Sequence, residues 1–319
     1  VTTAAPVVVA GVGSVGRRHL ENLRSLGVAG VTLLRTGHGG RIDDRFRHLP
    51  VDVDVEAALA RRPRAVIVAN PTALHVPVSL AAARAGCALL IEKPVSHSTS
   101  GVDALRAAVA ATGAACVVGF QYRFHDGLRQ VRSWIEEGAV GRPVSADVEW
   151  GEYLPDWHPH EDYRRGYSAR RDLGGGAVLT LCHPFDTLRF LLGEVRAVSA
   201  EVGQLSDLEL DVEDLAHVTL RFASGAVGSV SLDYVQRPRR HVLRVVGTEG
   251  VARWDEADGA ARLARPGSRE IVRPPRPGFA RNTMFVDELR HFLECAEGLA
   301  QPLCGLDDGV RALEIALAA

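Results

Sequence analysis

Gly11, Gly13 and Gly16 stand in G-x-G-x-x-G spacing in "VVVAGVGSVGRRHL", after an apolar strand-like run and at the start of a helix-like one. In that context each glycine has a use. Gly11 allows the tight turn, Gly13 lets the backbone approach a pyrophosphate, and Gly16 lets the helix lie close to the strand. Ser14 and Val15 complete the turn, where a helix start offers N–H groups and partial positive charge to an anion. About 20 residues on, an acid would bind a ribose 2′-hydroxyl. "LLRTGHGGR" instead offers Arg35 and Thr36, with no acid before Asp43. An arginine with a hydroxyl suits a 2′-phosphate, so NADP(H) is favoured. NAD(H) is the alternative if Arg35 only stacks on adenine.

Two further loops end strand-like runs, where open α/β sheets bind ligands. "ANPTALH" brings Asn70, Pro71, Thr72 and His75, and "IEKP" brings Glu92 and Lys93. From position alone, Lys93 is equally a site residue and a snorkelling surface residue. A third stretch, "GGGAVLTLCHPFD", carries Thr180, Cys182, His183 and Asp186. It has no G-K-[S/T] after its glycines, which argues against a phosphate loop. Cys182 and His183 are adjacent and diverge on a helix, and His158 and His160 complete no ligand set, so no metal is expected. Pro184 removes one helical N–H, which predicts a kink or a fresh helix start near His183.

These segments need a scaffold. The first 120 residues alternate short apolar strands with helices, the pattern of a doubly wound α/β Rossmann sheet. After Phe120 the strands come in series with period-two alternation. Helices are expected near 125–138, 177–192, 282–298 and 305–318, and an irregular loop over 265–280. The expected division is therefore a dinucleotide-binding domain over 1–120 and an α+β domain with a large, mostly antiparallel sheet over 121–319. With 319 residues, 46% hydrophobic and 24% charged, the chain is long enough for two cores. A net charge of −2 without a basic stripe argues against nucleic acid. No apolar run is long enough to span a bilayer, and the N-terminus reads as a first strand. Five scattered cysteines without a C-x-x-C pair lead to the expectation of a reduced cytoplasmic chain.

In order along the chain, the glycine motif with His19, "NPTALH", "EKPVS", "GFQYRFHDGLRQVRSWIEEGAVGRP" and "GGGAVLTLCHPFDTLRFLLG" resemble the Gfo/Idh/MocA family of oxidoreductases. The resemblance implies a nicotinamide cofactor and a sugar, cyclitol or sugar-nucleotide substrate. It also implies a homodimer or homotetramer formed through the outer face of the C-terminal sheet. It assigns Lys93 to contact with substrate and nicotinamide, and His183 to acid/base work. The family usually has an acid three or four residues before that histidine; here Thr180 stands in its place. The three glycines would then let the chain pass close to the nicotinamide.

Oxidation of a carbinol needs a hydride acceptor, a base for the hydroxyl proton and a donor for the developing alkoxide. His183 can be neutral near pH 7 and serve as base, with Lys93 as donor. The two roles can also be exchanged. Asp186, three residues on, would orient His183 or bind a substrate hydroxyl. Arg123, Tyr153, Trp157 and Tyr163, with Thr180, offer the aromatic faces and hydrogen-bonding groups that suit a sugar. Two alternatives keep the cofactor: a non-catalytic NAD(P)-binding regulator, and a lyase, epimerase or glycosidase without net redox change.

Overall fold

The computed structural model describes residues 6–35 and 42–319. Thr36 lies outside them. Two compact units are formed, one running to Phe120 and taking in Arg281–Val310, the other comprising Gln121–Ala280 and Arg311–Ala319.

The first unit starts with β1 (Val7–Ala10), α1 (Ser14–Ser25), β2 (Val31–Leu34), β3 (Val51–Asp52), α2 (Val55–Ala60), β4 (Ala65–Val68), α3 (His75–Arg84), β5 (Ala88–Glu92), α4 (Val102–Thr112) and β6 (Cys116–Gly119). Its strands pair in parallel in the order β3-β2-β1-β4-β5-β6. The strands "VVVA", "AVIV" and "ALLIE" are buried at every position. Such runs can satisfy their side chains only between two helical layers. The strand order reverses between β1 and β4, and the crevice at such a point is where open sheets hold ligands.

The second unit contains α5 (Asp126–Glu136), β7 (Pro143–Gly151), α6 (Ala177–Thr180), α7 (His183–Leu192), β8 (Val195–Gly203), β9 (Leu215–Phe222), β10 (Val227–Asp233), β11 (Arg240–Gly247), β12 (Val251–Asp255), β13 (Ala261–Ala264) and β14 (Ile271–Arg273). They form a sheet in the order β14-β13-β12-β11-β7-β10-β9-β8, antiparallel throughout except where β10 meets β7. β9 shows why: Ala216, Val218, Leu220 and Phe222 are buried, while His217, Thr219 and Arg221 between them are exposed. One face is core and the other faces out.

Three expectations need correction. First, α8 (Arg281–Ala296) does not belong with the second sheet. Leu289, Phe292 and Cys295 share a core with Val7, Leu33, Ile67 and Leu90. Helical periodicity reveals an apolar face but not the surface it covers. The last helix, α9, covers Leu306–Ala318. Second, the helix expected over 177–192 is two helices, α6 ending at Thr180 and α7 starting at His183 with Pro184 in its first turn. That break is the one Pro184 predicts, since its ring cannot continue the preceding turn. Third, the loop expected over 265–280 contains the edge strand β14, and β13 before it was not anticipated; at three and four residues they are too short for alternation to stand out in the sequence.

Candidate active site

In the first unit the glycine turn is shaped by close contacts. Gly11 has φ +94°, and a Cβ there would lie 2.6 Å from the Ala69 carbonyl oxygen, so the loops after β1 and β4 nearly touch. A Cβ on Gly16 would lie 2.1 Å from the Gly11 carbonyl oxygen. Gly13 is different. Its φ of −64° suits any residue, and a Cβ would meet nothing within 4 Å. The α1 N-terminus has no side-chain cap and no acid in its first turn. Space and an uncapped positive helix end coincide at Gly13, Ser14 and Val15, which fits a dinucleotide pyrophosphate.

The other residues expected around the cofactor follow strands of the same sheet. Arg35 directly follows β2, its N–H donating to the Asp52 carbonyl at 2.9 Å. Asn70 and Pro71 are half-buried after β4, and Thr72 is buried. Lys93, half-buried, directly follows β5. Two of the expected cofactor ligands are engaged by the protein itself. Glu92 Oε1 lies 2.7 Å from Nε2 of buried His19, tying α1 to the end of β5. His75 is buried with Nδ1 2.8 Å from the Pro94 carbonyl oxygen and Nε2 2.9 Å from that of Asn70. It fastens the "NPT" loop to the "EKP" loop, and burial holds its pKa below the usual imidazole value. Both side chains therefore brace the ligand-facing loops.

In the second unit, His183 opens α7 and Thr180 closes α6. The buried His183 ring has Nε2 3.4 Å from Gln121 Nε2, the edge of Tyr122 at 4.9 Å and Trp150 at 6.0 Å. The glycines before it have local reasons. A Cβ on Gly175 would lie 2.4 Å from the Tyr167 carbonyl oxygen. Gly176 has φ +105°, and its Cβ would strike the Glu213 carboxylate, which accepts from Val178 N–H at 3.1 Å. Crowding inside this unit, not approach to a nicotinamide, is what the packing at Gly175 and Gly176 records.

Asp186 was expected to orient His183 or bind substrate, and Arg123 to bind substrate. They instead face each other as a buried bidentate ion pair, with Nη2–Oδ1 at 2.7 Å and Nε–Oδ2 at 2.9 Å. Their charges are matched within the protein. Thr180 is buried, and its hydroxyl lies against the phenol of buried Tyr234. Tyr153 lies under the Arg237 guanidinium, 3.8 Å from its ring centroid. Trp157 meets Tyr234 edge-on at 5.7 Å, and its buried indole N–H has no partner among the described residues. The Tyr163 hydroxyl accepts from Glu209 N–H at 3.2 Å.

One cluster escaped sequence reasoning. The Tyr122 hydroxyl donates to Glu256 Oε1 at 2.8 Å. His241 lies between Glu256, with Nδ1–Oε2 at 2.8 Å, and Glu152, with Nε2–Oε1 at 2.9 Å, and stacks on Trp150 with centroids 3.9 Å apart. Burial opposes charge on His241, yet the two carboxylates prevail and raise its pKa. Glu256, although burial works against its charged form, is pulled down to about 2 by His241, Arg239 and the Tyr122 hydroxyl. Only folding joins these residues, since His241 and Tyr122 are separated by 119 positions. No group of three or more metal-ligating side chains forms, and no helix is long and apolar enough to cross a membrane, among the described residues.

Comparison with known proteins agrees with both units. Residues 6–120 match the oxidoreductase family with an NAD-binding Rossmann fold, and residues 128–253 match the GFO/IDH/MocA C-terminal domain. The chain is 31% identical to the 1,5-anhydro-D-fructose reductase of Ensifer adhaerens over 264 residues, which cover 80% of this chain and 75% of that one. It is 29% identical to the levoglucosan dehydrogenase of Pseudarthrobacter phenanthrenivorans over 211 residues, 58% of this chain and about half, 53%, of that protein's length. A solved levoglucosan dehydrogenase in complex with NADH and levoglucosan shares the fold, with a TM-score of 0.86 at 22% identity, covering 99% of this chain and 96% of that one. With both domains matched and a relative above 30% identity aligned over most of each chain, this protein belongs to the GFO/IDH/MocA family of oxidoreductases.

Proposed function

We propose that this oxidoreductase transfers a hydride between NADP(H) and a carbinol or carbonyl of a sugar, cyclitol or sugar nucleotide, with Lys93 and His183 as its acid/base pair. The observation that carries the reading is the Gly13 turn, open beside an uncapped helix end, at the same carboxyl end of the sheet as Lys93. Bound nicotinamide supplies the hydride acceptor or donor. In oxidation, neutral His183 takes the hydroxyl proton while the Lys93 ammonium donates a hydrogen bond to the oxygen as negative charge grows there. In reduction, His183 returns that proton. Asn70, Pro71 and Thr72 line the cofactor side, braced by His75. Tyr153, Trp157 and Tyr163 present aromatic faces to a sugar, and the Trp157 indole N–H is a donor for one of its hydroxyls.

The NADP(H) preference rests on Arg35 and on the absence of an acid between Leu34 and Ile42. Calorimetric titration should give tighter binding of NADPH than NADH, with Arg35→Asp reversing the order; tighter NADH binding by the wild type removes this preference. The outward face of the second sheet, with Asp147, Glu149, Ser229 and Arg244, is proposed as the surface of a homodimer or homotetramer.

Incubation with NADPH or NADH and a panel of keto-sugars, cyclitols and sugar nucleotides, followed by nicotinamide absorbance, tests the function. Turnover with stoichiometric cofactor change is expected. Tight cofactor binding without any turnover would establish a regulator, and product without net cofactor change a lyase or epimerase.

A further inference from the structure

Gln121 and His183 face each other inside the second unit, amide Nε2 to imidazole Nε2 at 3.4 Å. Both are buried, at 3% and 6% exposure. Gln121 opens the short 3-10 turn Gln121–Phe124, and that turn is held from two sides. Arg123 is locked to Asp186 of α7, and Tyr122 is anchored through its hydroxyl to Glu256 while its ring edge covers His183. The approach of the amide to the imidazole is thus fixed by its neighbours.

The sense of that contact is set by which end of the amide faces the ring. Gln121 Oε1 is buried with no partner among the described residues. The amide turns its nitrogen, not its oxygen, toward the ring. As placed, the amide N–H can donate only to a ring nitrogen that carries a lone pair. A neutral imidazole has one such nitrogen and one N–H.

We propose that Gln121 is a positioning residue for His183: its amide N–H holds Nε2 as the lone-pair nitrogen, so the neutral ring keeps its proton on Nδ1 and presents a base at Nε2. Its catalytic use rests on the reading of His183 as proton acceptor; the tautomer does not. A base must meet the hydroxyl proton with its lone pair, and without Gln121 part of the neutral population would present N–H there instead.

Long-range proton–nitrogen correlation on the full chain labelled with 15N-histidine tests this, with His183 identified by the signals lost in His183→Asn. The neutral wild-type ring is expected in the Nδ1–H form. Gln121→Met keeps the side-chain length and removes the donor; it should shift the ring to Nε2–H and lower kcat about tenfold, with KM changed less than about twofold. A wild-type ring already in the Nε2–H form overturns the proposal, and that spectrum needs no variant. An unchanged tautomer in a folded Gln121→Met overturns it too. If the tautomer shifts as stated but His183→Asn retains turnover, the reading of His183 as proton acceptor fails and the Gln121 assignment stands.

Discussion

Asp186 meets Arg123 edge to edge, two charge-assisted hydrogen bonds of 2.7 and 2.9 Å between side chains that are only 2% and 6% exposed. The pair joins α7, which carries His183, to the turn that carries Gln121 and Tyr122. Removing one partner leaves a buried charge without compensation. Asp186→Asn should therefore destabilise the protein by about 3–5 kcal/mol in urea unfolding. Replacing both residues together, Arg123→Met with Asp186→Leu, should cost far less. A substrate-binding Asp186 would behave in the opposite way, with unfolding unchanged and KM raised.

The glycine turn gives a sharper contrast. Gly13→Ala adds a methyl group where the protein itself has room, so unfolding should shift by less than about 0.5 kcal/mol. The same methyl group would stand where a pyrophosphate must approach, and the nicotinamide Kd should rise about tenfold or more. Gly16→Ala should lose stability as well, because its Cβ would meet the Gly11 carbonyl oxygen at 2.1 Å. Unaltered cofactor affinity in Gly13→Ala would move the binding site elsewhere.

The His241 cluster predicts a pH signature. The pKa of His241 is raised by folding, so its stabilisation is complete below the ordinary imidazole value near 6.5 and is lost as pH rises through the folded value. Glu256 is lowered to about 2, so its stabilisation is complete above the ordinary 4.5 and is lost as pH falls toward 2. Both contributions are full only between about pH 4.5 and 6.5. The gap in Tm between wild type and His241→Gln should be widest near pH 5.5 and narrower at pH 9. A gap that widens at pH 9 would show that His241 is neutral in the folded protein.

The first unit was largely legible because its signals are local. Continuous apolar strands, Gly11-x-Gly13-x-x-Gly16 and Pro184 act within a few residues of themselves, and the doubly wound sheet and the break before His183 follow from them. Arg123, Asp186, Glu92 and His75 were visible as polar residues in suggestive places. Their partners were not, because Asp186 lies 63 residues from Arg123 and His19 lies 73 from Glu92. Sequence reasoning aimed these side chains at a ligand, and folding matched them with each other. Gln121 lies inside the segment "GFQYRFHDGLRQVRSWIEEGAVGRP", but the resemblance attached no role to it; its contact with His183 singles it out. The placement of α8 failed for the same reason, since an apolar helix face does not name its sheet.

Lys93→Met separates cofactor binding from hydride transfer. The substitution removes the ammonium and keeps the length of the chain at a half-buried position after β5. Fluorescence titration should find the nicotinamide cofactor bound within about threefold of the wild type, while single-turnover hydride transfer on the best carbinol or carbonyl from the panel falls about 100-fold or more. Hydride transfer at the wild-type rate with cofactor bound would contradict the account and remove Lys93 from the chemistry.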